Sequence, residues 1–191
     1  MFSRKLFVAA VLAVIGAGAI VETAAREPDL IYERYGERRA VFQDWLAACR
    51  PGGYCSVLAY NGVGPEAVGV DANYIIRVSS GAPGLGYDVV FTGVAAMVSE
   101  ESDILVTVDD EEIAYLIPGE NLGWARQPDG GVNDYLFSQS IANVAIVPAM
   151  RDGGRMSLAF RDLDGAPRLV GFSLIGLSAA LNWIETNRYR L

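Results

Sequence analysis

"AVFQDWLAACRPGGYCSVLAY", residues 40–60, holds both cysteines of the chain, Cys49 and Cys55, on either side of Pro51, Gly52 and Gly53. The flanking runs, "AVFQDWLAAC" and "YCSVLAY", are apolar and rich in valine and aromatic residues, as strands are. Proline and two glycines supply a turn that brings the sulfurs together, so the simplest reading is strand-like chain clipped by a disulfide. Closing so short a ring contributes about 2 kcal/mol by chain entropy. A redox pair would prefer two residues between the cysteines, and a zinc site needs four ligands, which two cysteines without histidine do not supply.

Downstream the same texture repeats. "NYIIRVSS", "GYDVVFTGVAAMV", "DILVTVD" and "EIAYLI" are strand-like segments bounded by Gly, Pro, Asn or Asp, and "RMSLAFRDLDGAPRLVGFS" reads as two strands joined around Asp164 and Gly165. This spacing predicts a mainly β protein, an antiparallel β-sandwich-like single domain over residues 41–191. Two short helices interrupt it, at about 138–152 and 174–187. In the first, Ser138 or Ser140 caps the start, Ile141, Val144 and Ala145 share a face, and Pro148 forces a break or a second turn. Residues 26–40, polar and aromatic with no clear period, form an N-terminal leader.

Residues 1–25 have the three-part layout of a signal peptide: Arg4 and Lys5, an apolar run from Leu6 to Val21, then small residues with cleavage after Ala19 or Ala25. The run is short for a bilayer span, so a periplasmic or secreted protein is expected ahead of an uncleaved inner-membrane anchor. The full chain has 191 residues and a formal charge of −8, and loss of Arg4, Lys5 and Glu22 brings the charge to −9. An acidic surface repels phosphate backbones, which argues against nucleic acid and anionic membrane surfaces.

The chain has no histidine, and its single lysine, Lys5, leaves with the signal peptide. A Ser-His-Asp or Cys-His arrangement is excluded, as is a lysine Schiff base. What survives is carboxylate chemistry, an unassisted hydroxyl, or an oxygen-only metal site. "GFSLIG", residues 171–176, looks like a nucleophile elbow, but Gly176 lies one residue too far and no base exists for Ser173. Ser173 reads better as a helix N-cap, with Leu174, Leu177, Leu181 and Ile184 on one stripe and Trp183 flanking it beside Ala180.

Weaker candidates remain. Residues 118–134, "PGENLGWARQPDGGVND", form a long loop in which Trp124 caps the core or, with Arg126, holds a ligand. Asp109, Asp110, Glu111 and Glu112 sit at a strand end, where a solvated turn is the default and a weak calcium site the alternative. The glycine-rich pieces at 61–69 and 79–88 lack the context of phosphate loops and read as hairpin loops. Arg38 and Arg39, and Arg188 and Arg190, are most simply surface charges.

Taken together, the signal peptide, "FQDWLAACRPGGYCSV" and "FSLIGLSAALNWIE" resemble the invasion-associated locus B family and a similar group of exported bacterial proteins of unknown function. The family pattern falls on Trp45, Cys49 and Cys55 at one end, and on Ser173, Leu174, Gly176, Ala179, Ala180 and Leu181 at the other. The match runs over about residues 41–187. There is no second cysteine pair, and the loop at 118–134 has no counterpart. The resemblance implies an envelope location and a sandwich-like domain, and no reaction. The leading expectation is therefore a non-enzymatic interaction domain without a cofactor, whose partner is an envelope or host protein. A small module for a sugar, peptide or cation comes second, and a carboxylate-based hydrolase last.

Overall fold

The computed structural model describes residues 27–61, 74–80, 86–93, 98–126 and 133–188. The expected signal peptide, most of the first glycine-rich piece and half of the second lie outside these residues. Twelve strands are described: β1 (Leu30–Arg34), β2 (Glu37–Phe42), β3 (Trp45–Cys49), β4 (Cys55–Tyr60), β5 (Tyr74–Ser80), β6 (Tyr87–Gly93), β7 (Ile104–Val108), β8 (Glu111–Leu116), β9 (Leu122–Arg126), β10 (Asn133–Phe137), β11 (Arg155–Arg161) and β12 (Pro167–Ser173). They make two antiparallel sheets, one ordered β1-β2-β3-β4-β5-β6-β10-β9 and one ordered β12-β11-β7-β8.

The expected mainly β, sandwich-like architecture is what the structure shows. Strict alternation of buried and half-exposed residues in β3, β4 and β7 gives each sheet one inner face. Between the sheets an aromatic cluster forms around Phe91, whose ring lies 5.7 Å from Phe160 and 6.3 Å from Phe172. The small sheet covers only part of the large one. Helix α3 (Leu177–Asn187) closes the rest by lying on β2, β3 and β4.

Several expectations change. Residues 26–40 are not simply a leader, because β1 and the first part of β2 extend the large sheet as a hairpin. The burial of β1 shows no alternation, since an edge strand with little of the core against it needs none. "AVFQDWLAAC" is two strands, turned at Gln43 and Asp44 so that Phe42 pairs with Trp45. The expected loop at 118–134 contains β9, a complete edge strand paired to β10.

The first helical run starts at α1 (Gln139–Ile141), widens into a π turn (Ala142–Ile146) and continues as α2 (Val147–Asp152). Pro148 does not break it but falls at the start of α2, where the expected second turn begins. The wider turn accommodates a ring that carries no N–H and would crowd the carbonyl four residues back. The π turn also rotates the buried face: Ala142, Ile146, Val147 and Met150 point inward, while Val144, expected on the apolar face, is 82% exposed.

Candidate functional site

The residues of the family pattern, far apart in sequence, meet in one knot. Trp45 is fully buried and its Nε1–H donates to the carbonyl oxygen of Ser173 at 3.0 Å. Phe42, beside the same turn, meets the ring of Trp183 edge-on at 6.3 Å. Leu174, Leu177, Ala180, Leu181 and Ile184 are all buried, as the stripe predicts.

Ser173 does not cap the helix. It ends β12, its Oγ accepts from the N–H of Ile175 at 3.2 Å, and the helix starts three residues beyond Leu174, at Leu177. The cap position belongs to Gly176, at φ 97°. A Cβ there would lie 2.0 Å from the carbonyl oxygen of Phe42, so this position requires both the left-handed conformation of glycine and its missing side chain.

The disulfide between Cys49 and Cys55 is present and wholly buried, joining directly opposed residues of β3 and β4. Its loop reaches the end of α3. Gly53, at φ 85°, would bring a Cβ within 3.0 Å of the carbonyl oxygen of Arg188.

Around this clipped end the arginines gather. Glu37, opposite Arg34 in the register of β1 and β2, has a side chain only 11% exposed. It accepts from Arg39 Nη2 at 2.6 Å and from Arg50 Nε. Hydrogen bonds from Arg50 and then Arg39 hold its carboxyl below the usual carboxylate range, against burial, which would raise it. Arg38 Nη1 donates to Asn187 Oδ1 at 3.1 Å, and its guanidinium lies 5.9 Å from the Trp183 ring. Arg34 lies 4.9 Å from the ring centre of Tyr35, at the hairpin tip. Arg34 and Arg39 thus share the hairpin face that carries Glu37, while Arg38, in register with buried Cys49, lies on the opposite face against α3. Arg50 and Tyr35 join the Glu37 side without any signal a linear reading would catch, because only the hairpin and the disulfide turn bring them there. Arg190 lies outside the described residues.

The other candidates stand apart. Trp124 lies on β9 opposite Tyr135 of β10 and is 41% exposed, while Leu122 supplies the buried side chain of that strand. Trp124 borders a shallow depression with Val98, Glu100, Pro118 and Tyr135, whose space of about 10 Å³ has room for roughly one water molecule. Arg126 ends the strand, in register with Asn133.

Asp109 and Asp110 are the two residues between β7 and β8, at φ 49° and 67°, the signature of a type I′ hairpin turn. The Asp109 carboxylate accepts backbone N–H groups of Gly154 and Arg155, each at 2.9 Å, and so ties this hairpin to β11. Glu111 and Glu112 are exposed beside it. Among the described residues, no group of three or more His, Cys, Asp or Glu side chains is placed to hold a metal ion. Elsewhere Asp162, nearly buried, accepts from Arg168 Nε at 2.6 Å and from the N–H groups of Asp164 and Ala166. The Arg168 contact is the main cause holding its carboxyl below the ordinary range.

These features define an antiparallel two-sheet sandwich, clipped by a disulfide and closed at one end by its C-terminal helix. The same fold is found in the crystal structure of invasion associated protein B from Bartonella henselae, with a TM-score of 0.54 and 19% sequence identity over 78% of this chain and 96% of that one. The resemblance read from the sequence is therefore borne out at the level of the fold. No family model matches the sequence, and no curated protein does.

Proposed function

We propose that this is a non-enzymatic interaction domain of the cell envelope, exported by its N-terminal segment and acting by binding another protein. The observation that carries the reading is how the hydrogen-bonded carboxylates, two of them buried, are used. Glu37 holds two arginines, and Asp162 holds Arg168 and a turn, while Asp109 secures two backbone N–H groups. Carboxylates committed in this way build a scaffold and are not free to act as general acid and base. A buried disulfide fits an oxidising compartment. Among the described residues, no helix is long and apolar enough to cross a membrane.

The test uses the mature protein as bait in envelope extract, with and without reductant, together with N-terminal sequencing of the exported form. One partner retained in saturable amounts, and cleavage after Ala19 or Ala25, support the reading. A reproducible shift in melting temperature with a sugar or calcium, and no partner retained, would overturn it.

A further inference from the structure

We propose that the arginine-rich end around the β1–β2 hairpin is the docking surface, and that it takes an acidic protein segment. This rests on the interaction-domain reading and adds the surface and the chemistry of the partner.

Charge supplies the first argument. The chain carries −8 in all, yet Arg34, Arg39 and Arg50 meet around Glu37 on one face of the β1–β2 end. A positive pole on an acidic molecule orients an approaching partner of negative charge and turns away a basic one. All these cations are arginines, whose planar forks match carboxylates. Glu37, held between Arg39 and Arg50, shows a carboxylate received in that way. Arg50 keeps a side chain 64% exposed, open to further contact.

Tyr35 supplies the second. It is 82% exposed and sits at φ 54°, followed by Gly36 at φ 73°, in a two-residue turn. Such a turn favours asparagine or aspartate before glycine, and a bulky side chain in the left-handed region is an outlier. Folding gains from tyrosine here only the exposed Arg34 contacts, which are worth less than the left-handed conformation costs. Binding would gain more, because tyrosine and arginine together are the residues enriched where protein interfaces are strongest. Tyr54, 49% exposed, stands on the disulfide loop beside Arg50, whose N–H donates to the Tyr54 carbonyl.

A long polyanion such as a sulfated glycan fits less well. It needs a track of cations, whereas Glu37 already neutralises part of this cluster and the rest of the molecule repels a polyanion.

The test measures fluorescence anisotropy of a labelled octaglutamate peptide with the mature protein, from low salt to roughly 0.1 M. Saturable binding is expected, weakened about tenfold or more by the double variant Arg34→Gln/Arg50→Gln and several-fold by Tyr35→Asn. Arg161→Gln, a charge loss at a distant turn, should leave it unchanged. Arg34, Arg50 and Tyr35 are exposed, and circular dichroism checks that each variant is folded. Absence of binding, or binding indifferent to the Arg34, Arg50 and Tyr35 changes, would refute the surface. So would heparin binding more tightly than octaglutamate and responding to the same substitutions. An envelope partner retained equally by wild type and the double variant would refute this surface while leaving the interaction-domain reading intact.

Discussion

Strand β2 has two very different ends. At Phe42 its carbonyl faces Gly176, its ring faces Trp183, and the neighbouring Trp45 is sealed against Ser173. At Glu37 it opens onto arginines and a tyrosine that points into water. The first end is built so that almost no other side chain would fit. The second keeps an aromatic residue in a backbone conformation where a smaller one would fold more easily. A protein that tolerates strain at one end of a strand while excluding a single methyl group at the other separates closure from contact, and each end can be tested by what its substitution costs.

The closed end should give the largest effect. Gly176→Ala places a methyl carbon on the backbone oxygen of Phe42, which cannot rotate away, at a φ that side chains avoid. We expect a loss on the order of 3 to 5 kcal/mol in urea unfolding, from strain added to a broken helix start. A loss under about 1 kcal/mol would mean that the contact between β2 and the helix entry is not fixed, and that the closed end is softer than described.

Next comes the clip. Replacing Cys49 and Cys55 together by serine should cost about 2 kcal/mol, measured by thermal unfolding in oxidising buffer. Reductant should leave the native wild type unaltered until it unfolds, because both cysteines are wholly buried. The clip also holds the two regions together, since its loop touches the end of α3 and carries Arg50. The double serine variant should therefore bind the octaglutamate peptide less well even where it remains folded.

The contrast between the two ends also explains what the sequence disclosed. The disulfide, the strands that alternate and the stripe of α3 were legible because each is a local pattern set by burial on one side. The helix start was not, because the left-handed Gly176 answers to a carbonyl on β2 and not to its neighbours in the chain. The β1–β2 hairpin escaped because an edge strand with both faces largely exposed carries no period. β9 escaped because Gly123 and Trp124, both exposed, hide the pairing that Leu122 anchors. Val144 was misplaced because a π turn resets the helical period. The arginine end is assembled by tertiary contacts, so Arg39 and Arg50 meet around Glu37 although nothing in the linear sequence joins them.

Acid should separate the two ends by a smaller amount. The Glu37 carboxyl titrates lower in the folded protein than in the unfolded chain, where it lies near 4.3. Its contribution is therefore complete above that value and is lost as pH falls through the folded one, since the unfolded state then binds more protons. At pH 7, Glu37→Gln should cost at most about 1 kcal/mol, because the guanidinium of Arg50 is largely solvated. The difference between wild type and variant should shrink below about pH 4. A difference that stays constant from pH 7 to pH 3 would show that Glu37 stabilises by packing and not by its charge.

Tyr35→Asn should be the smallest change in stability, and the only one with the opposite sign. Asparagine accepts the left-handed conformation more readily than tyrosine, and the side chain removed is 82% exposed, so little burial is lost. Against this stands the loss of the Arg34 contacts with the ring and its hydroxyl, the latter a hydrogen bond of 3.2 Å at an exposed site. An exposed cation–π pair is worth about 0.5 to 1 kcal/mol, while the left-handed penalty of an ordinary residue is about 1 to 2 kcal/mol. The balance favours the variant by about 0.5 kcal/mol, readable as a small rise in the urea midpoint with unchanged slope. A variant that is more stable yet binds the acidic peptide less well would show that the tip keeps its tyrosine for contact. A variant that is less stable would place Tyr35 with the closed end, as part of what holds the hairpin to the sheet.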